Sequence, residues 1–77
     1  MDYQSGSRPT TQIGYINRKQ QRCEGHRGVK GNDHCQWSYK MRCLIEHCGY
    51  EYGANGSDVF QRKCPRCQGG RDGIPYE

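Results

Sequence analysis

The clearest alternation of apolar and polar side chains runs from Gln36 to Cys43. Four apolar side chains alternate there with four polar ones: Trp37, Tyr39, Met41 and Cys43 against Gln36, Ser38, Lys40 and Arg42. A period of two is typical of a β-strand with one buried face. The pattern predicts a strand whose apolar side faces the domain interior and whose polar side faces outward.

The other predicted elements are short. Residues 12–17 have the composition of a first strand, although Gly14 weakens it, and residues 50–52 predict another. Asn55 and Gly56 form the strongest tight-turn signal in the chain. Residues 58–63 are predicted as a returning strand, and the alternative is one turn of helix capped by Ser57 or Asp58.

The domain organisation follows from these elements. Residues 1–11 are predicted as a disordered tail, and residues 12–35 as an N-terminal strand followed by a basic, glycine-rich loop. Residues 36–70 form the predicted folded domain, and residues 71–77 a C-terminal tail. One small domain is all that 77 residues allow.

The composition adds a constraint, because the chain has few aliphatic residues with which to build a hydrophobic core. Leu, Ile, Val and Phe together number eight among 77 residues. This fraction is well below the ~20% under which charged chains are usually disordered. Binding of a structural metal ion contributes about 10–16 kcal/mol to the free energy of folding, which is enough to make up for the small apolar core.

Two cysteine pairs provide the ligands for such an ion: Cys43 with Cys48, and Cys64 with Cys67. Glycines follow both pairs, as expected for metal-binding knuckles in which a residue after the second cysteine adopts positive φ. We therefore predict a small metal-stabilised all-β fold. It is a zinc ribbon, with two cysteine knuckles on short antiparallel strands and an extra N-terminal strand.

Four thiolates fill a tetrahedral shell, so the predicted Zn²⁺ is structural and the protein is not predicted to be an enzyme. His47, beside Cys48, is an alternative ligand. Three disulfides in a secreted domain are the alternative for the six cysteines. Because the first residues contain no apolar run and no membrane-spanning stretch follows, we expect a cytoplasmic protein without a membrane partner.

A second metal site is also conceivable. Its candidate ligands are Cys23, His26, His34 and Cys35, although neighbouring side chains such as the last two rarely bind one ion. The remaining possibilities are a disulfide and unliganded thiols. The prediction is therefore one Zn²⁺, and two if this cluster also binds.

Parts of the sequence resemble known families. Asp33 and His34 resemble the Asp-His step of compact HNH nucleases, but here both good cysteine pairs follow this step, which is the wrong order. The segments CGYEY and CPRC resemble rubredoxin knuckles, yet the 15 residues between the pairs are too few for the rubredoxin loop.

Residues 39–70, and more loosely the chain from Gly14, resemble small standalone zinc-ribbon proteins of bacteria and their mobile elements. The similarity lies in GYIN, the Asp-His step and CGYEYGANGSD-x-FQR-x-CP-x-CQGG. The chain departs from the pattern in its longer first pair and in Cys23 and Cys35. The resemblance implies an accessory module that binds nucleic acid or protein.

The positions of the basic residues favour nucleic acid as the partner, although the net charge is low. The formal charge is +4, and a zinc ion with four thiolates brings it to about +2. We predict a surface along the outward strand face that contacts phosphates of DNA or RNA through these residues: Lys40, Arg42, Arg62, Lys63 and Arg66. Tyr50 and Tyr52 are candidates for stacking on single-stranded bases. Docking to a larger protein is the alternative, and no small-molecule substrate is expected.

Overall fold

The computed structural model describes residues 2–32 and 36–77. Three strands form one antiparallel sheet in the order β1, β2, β3: Gln21–Cys23, Ser38–Cys43 and Glu51–Asn55. Cys43 pairs with Gln21, and Met41 lies between Cys23 on one side and Tyr52 on the other. The predicted small all-β fold is therefore confirmed.

The predicted N-terminal strand is wrong as a regular element. Residues 14–17 run beside β1 and exchange backbone hydrogen bonds with it, but only Ile16 forms a bridge, to Arg22. Gly14 has φ +96°, which breaks the extended conformation. The regular strand begins only after the turn, at the polar residue Gln21, because its backbone pairs with β2.

The alternation predicted for β2 is correct at Tyr39, Met41 and Cys43, which are buried. It is wrong at the start of the strand. Trp37 is 41% exposed, whereas Ser38 is fully buried and its hydroxyl donates to the carbonyl of Pro75 at 2.6 Å. Ser38 is covered because the C-terminal segment crosses the outer face of the sheet.

The predicted returning strand is a 3₁₀ helix, Gly56–Gln61. Its helical alternative is therefore the better description, although neither Ser57 nor Asp58 caps it: Asn55 is the N-cap, without a side-chain hydrogen bond. Asn55 and Gly56 consequently join β3 to this helix and do not form a hairpin turn. Val59 anchors the helix because its side chain is fully buried.

Both terminal segments pack on the domain, in contrast to the tails expected from composition. Gln4 forms an antiparallel bridge with His26, and a short 3₁₀ helix covers Pro9–Thr11. At the other end Ile74 bridges Gly53 in β3. Polar, glycine-rich segments are thus held by backbone pairing, which composition does not reveal.

The buried core is small. Its members lie on the sheet and the second 3₁₀ helix: Cys23, Tyr39, Met41, Tyr52, Ala54 and Val59. In the described part of the chain, no helix has the length and apolar character needed to cross a membrane.

Gly53 provides a test of the C-terminal packing. A Cβ atom at this position would collide with the carbonyl oxygen of Ile74 and meet the Ser38 hydroxyl at 2.8 Å. We expect Gly53→Ala to lower the free energy of unfolding by about 1–3 kcal/mol, because the crossing segment must move. Thermal denaturation of the metal-loaded protein measures this loss in the free energy of unfolding.

The control is the same substitution in a chain that ends at Gly73. If the clash with Ile74 causes the loss, Gly53→Ala will cost less in the shortened chain, as a double-mutant cycle shows. Equal costs in both chains would mean that packing of Ile74 on Gly53 is not responsible.

Candidate metal centre

The four cysteines of the two predicted pairs converge at one end of the sheet. The sulfur atoms of Cys43, Cys48, Cys64 and Cys67 all lie within 4.8 Å of one another. Cys43 and Cys67 are separated by 3.6 Å, and Cys48 and Cys64 by 3.7 Å. This group could hold a metal ion.

Two tight turns place the sulfurs. Cys43 is the last residue of β2, and the turn that follows it is closed by a hydrogen bond from the N–H of Cys48 to the carbonyl of Ile45 at 3.0 Å. In the second turn, the N–H groups of Arg66 and Cys67 point at the sulfur of Cys64, at 3.3 and 3.4 Å. Such N–H groups stabilise thiolates.

The backbone conformation favours glycine after each turn. Gly49 has φ +65° and Gly69 has φ +66°, a region in which residues with a Cβ are disfavoured. This conformation agrees with the prediction from the sequence. His47 also has positive φ, but its side chain is 89% exposed and lies 3.3 Å from Glu46, so the turn presents Cys48 to the cluster in its place.

The spacing fits a tetrahedral ion. Four sulfurs about 2.3 Å from a central Zn²⁺ lie about 3.8 Å from one another, close to the two sulfur separations above. A disulfide would need about 2.05 Å. All five cysteines in the described residues are free thiols, so the alternative of three disulfides finds no support there.

The thiols of Cys43 and Cys67 differ in pKa. Burial alone raises the pKa of Cys43, but hydrogen bonds from the Gln21 side chain and the N–H of Ile45, with the neighbouring Cys48 and Cys67, lower this pKa from 9.0 to about 7. The pKa of Cys67 is raised, by desolvation and by the three other sulfurs. The Cys43 thiolate thus forms readily near neutral pH, and a bound cation would favour ionisation of Cys67 as well.

Gln21 supports the centre and was not identified from the sequence. Its fully buried amide nitrogen donates to the sulfur of Cys43 at 3.3 Å and to the side chain of Gln68 at 3.2 Å. Its amide oxygen accepts from the hydroxyl of Tyr52 at 2.8 Å. A polar residue two positions before a cysteine gives no sequence signal, because the contact with Cys43 spans 22 residues.

Further amides attach the N-terminal segment to the same end. Gln68 accepts from the N–H of Cys64 at 2.8 Å and donates to the carbonyl of Lys19 at 2.9 Å. Asn17 donates to the carbonyls of Val59 and Arg62. Residues 14–23 are therefore part of the metal-centred unit.

The second predicted metal site is not assembled by the described residues, in which the only group of three or more candidate ligands is the four-cysteine cluster. Cys23 is buried in the core, and His26 stacks on Trp37. His34 and Cys35 lie outside the described residues. That site therefore stays a prediction.

The predicted basic strand face is largely neutralised. Lys40 lies 3.2 Å from Glu51, and its ammonium group sits over the rings of Tyr3 and Tyr76. Arg42 is exposed but lies 3.9 Å from the same Glu51. The termini and one carboxylate thus occupy the surface that the alternating pattern assigned to phosphates.

Arg62 does not belong to an exposed surface at all. It is only 5% exposed, its guanidinium lies 5.0 Å from the ring centre of Tyr52, and one of its nitrogens donates to the carbonyl of Arg71. Tyr52 is likewise buried, so it offers no stacking face to a base. The predictions that Arg62 contacts a phosphate and that Tyr52 stacks on a base are therefore wrong, because both side chains are buried.

Lys63 and Arg66 are different, because both are exposed and flank the second knuckle. Arg18 joins them: its turn is held to the metal end by the hydrogen bonds of Lys19 and Gln20 with Gln68 and Leu44. No carboxylate in residues 2–32 or 36–77 lies within 4.0 Å of these three cations. We call Arg18, Lys63 and Arg66 the metal-end cations.

Comparison with models of protein families, with curated proteins and with solved structures gave no match to the chain.

The support from Gln21 can be measured. Gln21→Ala removes the donor to Cys43 and Gln68 and the acceptor of the Tyr52 hydroxyl, so we expect metal affinity to fall about 10- to 100-fold. Competition with a chromophoric chelator measures the affinity. Gln61→Ala, at an exposed position of the second 3₁₀ helix, is the matched control and should leave it unchanged. Equal affinities for both variants would contradict the role of Gln21.

Proposed function

We propose that the four-cysteine centre binds one Zn²⁺ whose role is structural. The sulfur separations of 3.6 and 3.7 Å carry this proposal, because they match the edges of a tetrahedral zinc–thiolate site. Zinc also suits an all-thiolate ligand set and has no geometric preference of its own. The bound ion polarises no substrate here, since four thiolates leave it no open position, so we do not propose an enzyme.

Zinc content and folding should change together. Native mass spectrometry is expected to find one Zn²⁺ per chain, and removal with a chelator should abolish the cooperative thermal transition, because about 10–16 kcal/mol of binding free energy is lost. A Cys64→Ser variant should behave like the chelated protein, and His47→Ala like the unmodified one. A metal-free chain that still melts cooperatively would contradict the proposal.

We further propose that the module binds the phosphate backbone of nucleic acid through the metal-end cations. Arg18, Lys63 and Arg66 are exposed and free of described carboxylates, whereas the strand-face cations are paired with Glu51. Arg66 is held in place by the Tyr50 ring, 5.8 Å from its guanidinium carbon. Cations fixed around a rigid knuckle neutralise phosphates without first giving up an ion pair.

The paired and unpaired cations allow a matched comparison. We expect Lys63→Ala with Arg66→Ala to weaken binding of short DNA or RNA at about 50 mM salt, and to reduce the slope of log affinity against log salt by about 1.4 for single strands. Lys40→Ala with Arg42→Ala should weaken binding less. Fluorescence anisotropy across a salt series measures both, with zinc content as the control for folding.

A docking module without nucleic-acid contact is the second candidate. It is favoured by the exposure of five large apolar side chains in a chain that has few: Ile13, Ile16, Trp37, Ile45 and Phe60. Flat titrations with both DNA and RNA, for a protein with full zinc content, would replace the nucleic-acid proposal with this one.

A further inference from the structure

Trp37 and His26 form an aromatic platform at the end of β2 opposite the metal centre. Their rings are nearly parallel, with an interplanar angle of 6° and centroids 4.8 Å apart, and Tyr39 meets His26 edge-on at 5.3 Å. Burial lowers the pKa of His26, so its ring is neutral near pH 7. One face of the indole is therefore covered, and Trp37 is held in a fixed orientation.

The platform borders a cleft of about 220 Å³. Trp37 and Tyr39 supply its aromatic walls, Ser7 and Ser57 supply hydroxyl groups, and Arg8 supplies the only charge among the described residues that line it. Arg8 is exposed, and its charge is close enough to Tyr39 to act on the pKa of that hydroxyl. The cleft is thus aromatic, polar at its rim and positive.

These features identify the class of ligand. Sites for drug-sized molecules measure about 300–1,000 Å³, so this cleft suits one planar ring system. An indole that is stacked on one side and still 41% exposed offers its other side for stacking. A guanidinium beside it, with no carboxylate among the lining residues that the structure describes, complements a phosphate.

We propose that this cleft binds one unpaired nucleobase of a single-stranded nucleic acid, which stacks on Trp37 while its phosphate pairs with Arg8. The inference rests on the proposed nucleic-acid function and names a base-binding subsite for it. Stacking on aromatic side chains tolerates every base, so the subsite selects single strands and not a sequence.

The zinc-loaded full chain allows a direct test, because Trp37 is its single tryptophan. A short oligothymidylate is compared at about 50 mM salt with an abasic strand that has the same number of phosphates. We expect only the oligothymidylate to quench Trp37 emission, and to bind about 5- to 150-fold more tightly than the abasic strand.

Substitutions of Trp37 and Arg8 test separately how stacking and charge contribute to binding. Trp37→Leu should abolish the preference for the base-containing strand, whereas Phe60→Leu, at another exposed aromatic residue, should retain it. Arg8→Gln should weaken both strands and reduce the salt slope by about 0.7. Zinc content verifies that each variant is folded. The quenching measurement uses the unmodified chain, so it tests the proposal even if a variant does not fold.

The outcomes distinguish the two proposals. Equal affinity for the two strands with unchanged Trp37 emission would overturn the base-binding cleft and leave backbone binding by the metal-end cations intact. Binding of neither strand would overturn both.

Discussion

The convergence of four sulfurs at one end of the sheet is the constraint on which the structure depends. β2 ends at Cys43 and the second knuckle follows the 3₁₀ helix, so that segments far apart in the chain meet at one point. Among the residues that the structure describes, the buried core cluster has six members, one of them an alanine. A structural zinc contributes about 10–16 kcal/mol, as much as the whole net stability of a typical domain, ~5–15 kcal/mol. If the proposed zinc binds at this point, a contribution of that magnitude decides whether the chain folds.

Buried amides take the place of apolar contacts around the centre. Asn17 and Gln21 are buried and Gln68 is half-buried; amides in such positions are costly unless they are hydrogen-bonded, and each of these three has partners on two or more segments. Through them the residues before β1 are joined to both knuckles. Polar packing of this kind is specific, because one misplaced segment would leave several buried groups without partners. It explains how a chain with so few aliphatic residues holds one arrangement around the sulfurs.

Local chemistry was predictable from the sequence, and long-range contacts were not. The spacing of Cys43, Cys48, Cys64 and Cys67 identified the cluster, and Gly49 and Gly69 occupy the positive φ predicted after the knuckles. The period of β2 identified its buried side at Tyr39 and Met41. Each of these signals, including the spacing within each cysteine pair, lies within a few positions of the chain.

The errors arise where a distant segment decides the environment of a residue. Ser38 is buried because Pro75 accepts its hydrogen bond, and Arg62 because it lies against Tyr52. Neither partner is within nine residues along the sequence, so no local pattern indicates the contact. The same holds for β1, whose polar residues form a strand only because β2 is beside them.

The distribution of covered and open surface has a functional consequence. Glu51 and the two termini occupy the middle of the outer sheet face, whereas the metal-end cations lie at one end of β2 and the Trp37 cleft at the other. Six strand residues separate these ends by about 20 Å. A ligand that reaches both must therefore be extended and several units long, and a flexible single strand meets this requirement better than a compact ligand. Because the two proposed contacts are separate in space, the loss of one leaves the other intact, and the affinity of a strand that spans both exceeds that of either contact alone.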